Sequence, residues 1–382
     1  MLTCQRDAFT LPEDVHYLNC ASKAPLLKTV EAAGMRGMFD QRLPIAARPE
    51  DYFAIPDALR VAVGGLINCD PVQIAITPSV SYGVAIAAHN LKLNKRQNIV
   101  TVEEEFPSDV YPWIHACAHS GATHRIVARA PSAAQWSAQV LEHIDNQTAL
   151  VCLSTVHWTD GICFDVAAVA KRCREVGALF VLDGTQSIGV MPFDFQKIQP
   201  DLLICAGYKW LLGPSQVGFA AVGERLQNGE PFEHHWSTRA GSEDTSNTAY
   251  HPNFRPGARR FDVGEQANPI TVPMLTAGIE QVQQWGVERI GNYLEQLAQY
   301  LHSALPEEHF VLPITEDRGP HILGVRARDT NLIPAVLDRL KAANVLISRR
   351  GDVLRVSPHL HCAQVDLDVL VDCLQQVSKA RG

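Results

Sequence analysis

The chain has 382 residues, 46% hydrophobic and 19% charged, which suffices for a large buried core in two or three domains. A formal net charge of −8 and a pI near 6.0 give no sign of binding to nucleic acid or an anionic membrane, and neither partner is expected. No apolar run reaches the roughly 18 residues of a spanning helix, and MLTCQRDAFTLPEDVHYLN lacks a signal-peptide core, so a soluble cytoplasmic protein is expected.

Residues 1–22 read as an arm ending in VHYLNCAS. Helices are expected over 28–42 and 56–67, the second closed by Asn68. AITPSVSYGVAIAAHNL then passes from a short strand into a helix. Thr77 and Ser79 are candidate N-caps there, and Pro78 suits a first turn. The start of such a helix offers free N–H groups and a positive dipole end, which suit phosphate or serve ordinary capping. A strand over 98–102 runs into EEEFPSDVYPW, and another over 149–157 leads to WTDG. Residues 165–176 form an amphipathic crossover helix, with Val166, Val169, Ala170 and Cys173 opposite Lys171, Arg172 and Glu175, and Gly177 as C-cap.

The stretch LFVLDGTQSIGVMPFDFQKIQPDLLICAGYKWLLGPSQVG organises the chain. Its apolar runs 179–182 and 202–206 read as buried parallel strands, ending at Asp183 and just before Tyr208 and Lys209. In a parallel sheet, working residues sit just past the carboxyl ends of the strands, so Asp183 and Lys209 are expected at one mouth. The pair reads as a buried ion pair or as a cofactor site. Pyridoxal phosphate needs a lysine to carry it as a Schiff base and a carboxylate to keep its ring nitrogen protonated.

Residues 228–265 are rich in Gly, Ser, Thr, Asn, Arg and Pro, and so long an irregular segment is usually functional. Residues 271–305 are strongly helical, interrupted near Gly286. Beyond it, strands are expected near 321–325 and 345–349 and helices over 332–343 and 365–379. Ten cysteines lie scattered from Cys4 to Cys373 without a CxxC pair and read as buried reduced thiols. His115 and His119 lack the glutamate of an HExxH motif and a third ligand, so no metal is expected.

DGTQSIG followed by GYKWLLGPSQVGF closely resembles the aminotransferase class V family of fold-type I pyridoxal-phosphate enzymes, which includes cysteine desulfurases, kynureninase and isopenicillin N epimerase-like proteins. The resemblance implies an α/β fold. A large domain (23–286) would hold a mostly parallel central sheet with helices on both faces. A smaller α+β domain (287–382) would follow, with the arm (1–22) packed near it. It implies pyridoxal 5′-phosphate on Lys209, with Asp183 at the ring nitrogen and Gln186 beside the ring hydroxyl. The phosphate would lie on Ser79 and Val80, with Ser81 as an alternative, and Tyr208 would reach it. Phe106, in FPSD, would stack on the ring as in kynureninase and the epimerase-like branch. Trp158 stands where desulfurases carry a cofactor-contacting asparagine.

By the same resemblance the 228–265 segment crosses a homodimer interface into the partner's site, and Trp236 aligns with a cofactor-contacting tryptophan. RFDVGEQANP replaces the family's phosphate-binding threonine by Glu265, leaving Gln266 or Asn268 to supply that contact. DVLRVSPHLH makes Arg355 the grip on the substrate carboxylate. The turn around Asn19 either approaches that carboxylate or is a plain strand-end turn. Cys362, in HCAQ, follows Arg355 instead of preceding it and reads as non-catalytic. The expected activity is that of a class V aminotransferase on an α-amino acid. A Cβ or C–S lyase or an epimerase is the alternative, and a non-catalytic cofactor-binding sensor the remote one.

Overall fold

The computed structural model describes residues 2–43, 45, 48 and 50–379. Residue 1 of the expected arm, residues 44, 46, 47 and 49, and residues 380–382 of the expected small domain lie outside the described residues. An arm strand, β1 (His16–Tyr17), comes first. The main sheet then uses β2 (Ile74–Thr77), β3 (Asn98–Val102), β4 (Thr123–Val127), β5 (Thr148–Ser154), β6 (Leu179–Asp183), β7 (Leu202–Ala206) and β8 (Gly218–Val222). Their spatial order is β2-β8-β7-β6-β5-β3-β4, and β8 alone runs antiparallel to its neighbours. Strands β2, β3, β7 and β8 are buried at every position. That is why they read as continuous apolar runs: both faces of the sheet are covered.

The helices around it are α1 (Lys28–Gln41), α2 (Asp51–Ile67), α3 (Val80–Asn90), α4 (Tyr111–Ser120), α5 (Ala133–His143), α6 (Val166–Val176), the single turn α7 (Phe195–Ile198) and α8 (Thr271–Trp285). Alternate strand residues go to opposite faces. Phe180 and Leu182 pack with Leu59, Trp136, Val169 and Leu275 of α2, α5, α6 and α8. Val181, Leu202 and Ile204 pack with Val80, Val84 and Trp113 of α3 and α4. Asp183 has the parity of Val181, so it ends its strand on the side where α3 begins.

A second sheet, in the order β12-β13-β10-β9, is built from β9 (Phe310–Val311), β10 (Leu323–Ala327), β12 (Ser348–Arg350) and β13 (Val353–Val356), all antiparallel. It shares one core with Leu294 and Leu301 of α9 (Val287–Ala304), Val336 of α10 (Ile333–Ala342) and Leu370 of α11 (Gln364–Lys379). The arm joins this core through Phe9 and Leu18, and β1 pairs in parallel with β11 (Val345–Leu346). Helices α8 and α9 are separated at Gly286, whose φ of +82° is readily reached only without a Cβ.

Several boundaries differ from the sequence reading. Helix α2 starts at Asp51, not at residue 56, and Pro56 lies inside it. An acidic first turn favours the earlier start, while Pro56 removes one internal hydrogen bond. Thr77 ends β2 and Pro78 precedes the cap, so Ser79 alone caps α3. The strand expected over 149–157 ends at Ser154, because His157 N–H turns to Ile162 O at 2.7 Å. The strand expected over 345–349 divides: β11 pairs with the arm and β12 with β13. Among the described residues, no helix is long and apolar enough to cross a membrane.

Candidate active site

The carboxyl ends of β6 and β7 open into a cavity of about 100 Å³. Asp183 ends β6, and Lys209 follows the turn after β7. Both are buried, and both line the cavity with Ser79, Val80, Ser81, Phe106, Trp158, Gln186 and Tyr208. The Nζ of Lys209 lies 5.6 Å from the centre of the Phe106 ring and 5.7 Å from that of Tyr208. No hydrogen bond or ion pair engages it among the described residues. Burial draws its pKa down to about 8, against the pull of Asp183 and with help from the Arg355 charge. The amine is therefore partly free near neutral pH, where an ordinary lysine is not.

This sets a pH profile. Covalent loading of cofactor needs the neutral amine, so its rate on cofactor-free protein is expected to rise between pH 7 and 9 (about one unit either side of 8). Stopped-flow absorbance would check this. A flat profile, or a rise continuing to the ordinary lysine range near ~10, would contradict it.

Asp183 Oδ1 accepts the Thr185 N–H at 2.7 Å. Against it lies Asp109, wholly buried and not singled out from the sequence. No donor reaches either carboxylate oxygen of Asp109. Burial first, then Asp183 and Glu105, hold its pKa well above the usual carboxylate range. Holding the proton, it can serve as a donor to the Asp183 carboxylate beside it. Glu105 was also missed. Its carboxylate accepts Phe106 N–H at 2.8 Å, Ser154 N–H at 3.0 Å and Ser154 O–H at 2.9 Å, which pins the FPSD turn to β5 and so sets the Phe106 ring.

The first turn of α3 faces the same cavity. Ser79 Oγ accepts the Tyr82 N–H at 3.2 Å, and the Val80 and Ser81 N–H groups have no acceptor within the helix. Ser81 and Ser108 share a hydroxyl contact of 2.9 Å at the rim. The Gln186 amide is fixed at both ends, donating to Ala21 O at 3.1 Å and accepting from Trp210 Nε1 at 2.8 Å. One of its N–H donors remains for the cavity.

Arg355 lies beside the cavity, joined to it by the carbonyl of Trp158. The residue is 1% exposed, and no carboxylate lies within ion-pair reach of its guanidinium among the described residues. Three of its five N–H donors go to Ser348 Oγ (3.2 Å), Trp158 O (2.6 Å) and Ser22 Oγ (2.7 Å). Two remain, the number a bidentate carboxylate takes. Asn19 bridges to Ser357, just past the end of β13, and its Oδ1 is buried without a partner.

Within one chain Trp236 lies outside this cavity, 47% exposed and tilted against Tyr52 with ring centres 4.7 Å apart. Asn268 Oδ1 is occupied in capping α8 through Ile270 and Thr271, and Gln266 accepts from Ser237. Cys362 is buried against the Tyr17 carbonyl at 3.3 Å, and burial holds its thiol far above the ordinary cysteine range.

A buried, unpartnered lysine beside an aspartate, open N–H groups at a helix start and an aromatic ring between them fit pyridoxal phosphate. At the carboxyl edge of a mostly parallel sheet they define a fold-type I enzyme. Residues 48–363 match the Aminotransferase class-V family, and the chain belongs to it as a pyridoxal-phosphate-dependent enzyme. YcbU, described as an uncharacterized aminotransferase of Bacillus subtilis (strain 168), is 26% identical over 309 residues, covering 80% of each chain. The isopenicillin N epimerase of Streptomyces clavuligerus is 25% identical over 397 residues, covering 98% of this chain and 97% of that one. The structure of the cystine C–S lyase C-DES with its product cysteine persulfide superposes with a TM-score of 0.85 at 22% identity, over 95% of this chain and 97% of that one; this likeness shows the fold.

Proposed function

We propose that the enzyme transfers the amino group of an α-amino acid. The observation that carries this reading is the pairing of a buried lysine, near pKa 8, with a buried arginine that keeps two donors free. YcbU, described as an aminotransferase, supports it. Bound pyridoxal phosphate supplies a carbonyl for the substrate amine and a ring that takes up the electron pair left at Cα. Ser79 and Val80 would hold its phosphate with Tyr208, Phe106 its face, Asp183 its ring nitrogen and Gln186 its hydroxyl.

Arg355 receives the α-carboxylate, which fixes the orientation of Cα. Lys209 Nζ takes the Cα proton as general base. Where Lys209 returns that proton separates amino transfer from inversion. Phe106 and Trp158, edge to face at 5.7 Å, keep water from the reacting side.

The test mixes holoenzyme with a panel of amino acids and no keto acid. Lasting conversion of the cofactor to its amine form, with keto acid released, is expected. Ammonia or pyruvate with an unchanged cofactor means elimination, an inverted amino acid means epimerisation, and either overturns the reading. A homodimer with shared sites belongs to the same proposal. Trp236 is exposed, and α1 carries the exposed apolar residues Met35, Met38 and Phe39, a face suited to a second copy. Light scattering during turnover is expected to give twice the chain mass; a fully active monomer would refute it.

A further inference from the structure

Two guanidiniums meet on one hydroxyl beside the cavity. Arg355 Nη2 donates to Ser22 Oγ at 2.7 Å, and Arg350 Nη2 approaches the same oxygen at 3.4 Å. The strand register brings them together. Ser348 of β12 lies opposite Arg355 of β13, and Arg350, two residues further along β12, shares the face of Ser348. Both guanidiniums look onto the Trp158 indole, at 5.3 Å from its centre for Arg350 and 6.0 Å for Arg355. Trp158 is also a wall of the Lys209 cavity.

Neighbouring arginines are paired. Arg129 and Arg326 share Asp160, Arg318 takes Glu295, and Arg349 takes Asp352. Arg350 and Arg355 meet no carboxylate among the described residues. Arg350 spends one donor on the Arg349 carbonyl at 2.8 Å, and its Nε is buried without a partner. Burial lowers the pKa of both, and Arg350 adds to the effect on Arg355. Two like charges in a half-dry pocket repel, and an anion between them relieves this. Arg355 already has the free donors for one carboxylate. Arg350, with its own unused donors, offers a place for a second anion.

We propose that Arg350 is a specificity residue, and that the enzyme selects amino acids whose side chain ends in an anionic group, a second carboxylate above all. The α-carboxylate sits on Arg355 and the side-chain anion on Arg350, with the Trp158 indole beneath both. This rests on the amino-acid reading above, and non-reacting ligands keep the two separable.

The experiment measures dissociation constants of glutarate and butyrate, by the cofactor absorbance of holoenzyme and by calorimetry with cofactor-free protein. Glutarate is expected to bind at least about tenfold tighter than butyrate, since hydrogen bonds to charged groups are worth that much. Arg350→Gln should remove most of this preference while leaving butyrate within about threefold; Arg350→Lys should restore part of it. Equal binding of the two acids by the wild-type enzyme overturns the proposal. So does an equal loss of both in Arg350→Gln, which would make Arg350 a support of the single grip at Arg355. If amino acids react and neutral ones outpace acidic ones, the inference alone fails. If glutarate is preferred and no amino acid reacts, the arginine assignment stands and the amino-transfer reading falls.

Discussion

Lys209→Ala is expected to leave no cofactor fixed to the protein by borohydride and to lower turnover by roughly 10³-fold or more. General base catalysis alone is worth about 10²–10⁴, and Lys209 is also the covalent anchor. Cofactor should still bind, more weakly, because the α3 N–H groups, Phe106 and Asp183 remain. The loss should not reflect unfolding. Depression of the lysine pKa from 10.5 to about 8 means that, below pH 8, the cofactor-free fold carries a desolvation penalty of roughly 3 kcal/mol, which fades as pH rises towards 10.5. Alanine removes that penalty and leaves a cavity worth a similar ~2–4 kcal/mol. The cofactor-free variant should therefore melt within a few degrees of the wild type at pH 7. Mass spectrometry after borohydride reduction decides the matter, and a cofactor adduct surviving on the alanine variant would reject Lys209 as the anchor.

Why Lys209 and Asp183 were legible, while other parts of the site were not, is a matter of range. Strands β6 and β7 are each an unbroken apolar run, and a polar residue at the end of such a run has only the carboxyl edge of the sheet to occupy. Ser79 is legible as a cap by residue type, but Thr77 two residues earlier is an equal candidate by that criterion, and only the start of α3 at Val80 decides between them. Asp109 carried no comparable signal. It lies in a three-residue turn packed against α3 and α4, with Cys152 of β5 and Asp183 of β6 beside it, so its burial comes from distant parts of the chain and not from any local pattern. The two arginines are more remote still. Their convergence needs the β12–β13 register and an arm serine 333 residues before Arg355. Trp236 makes the same point from the other side: within one chain the irregular 228–265 segment rests it on Tyr52, away from Lys209. The antiparallel insertion of β8 and the split of β11 from β12 also depend on partners distant in the chain.

Asp183→Asn should lower kcat/KM by roughly 10²–10³, the usual effect of removing one preorganised charge or donor at a reacting centre. Asp109 decides how complete that loss is. With the Asp183 charge gone, one cause of its raised pKa disappears. Burial, the larger cause, stays, so Asp109 remains protonated and replaces little of the lost charge. Asp109→Asn taken alone should stay within about threefold of wild type, because an amide N–H can serve Asp183 as the acid O–H does. Asp109→Ala should cost more, because it leaves Asp183 only the Thr185 N–H as a donor and opens a hole behind it. These three variants, compared by kcat/KM across pH 6–9, separate two arrangements. If Asp109→Asn proves as damaging as Asp183→Asn, then Asp109 is the ionised partner and Asp183 the protonated one. If only Asp183→Asn is severe, the negative charge belongs to the end of β6, where the main sheet presents it on the α3 side, and Asp109 acts behind it by holding a proton in place.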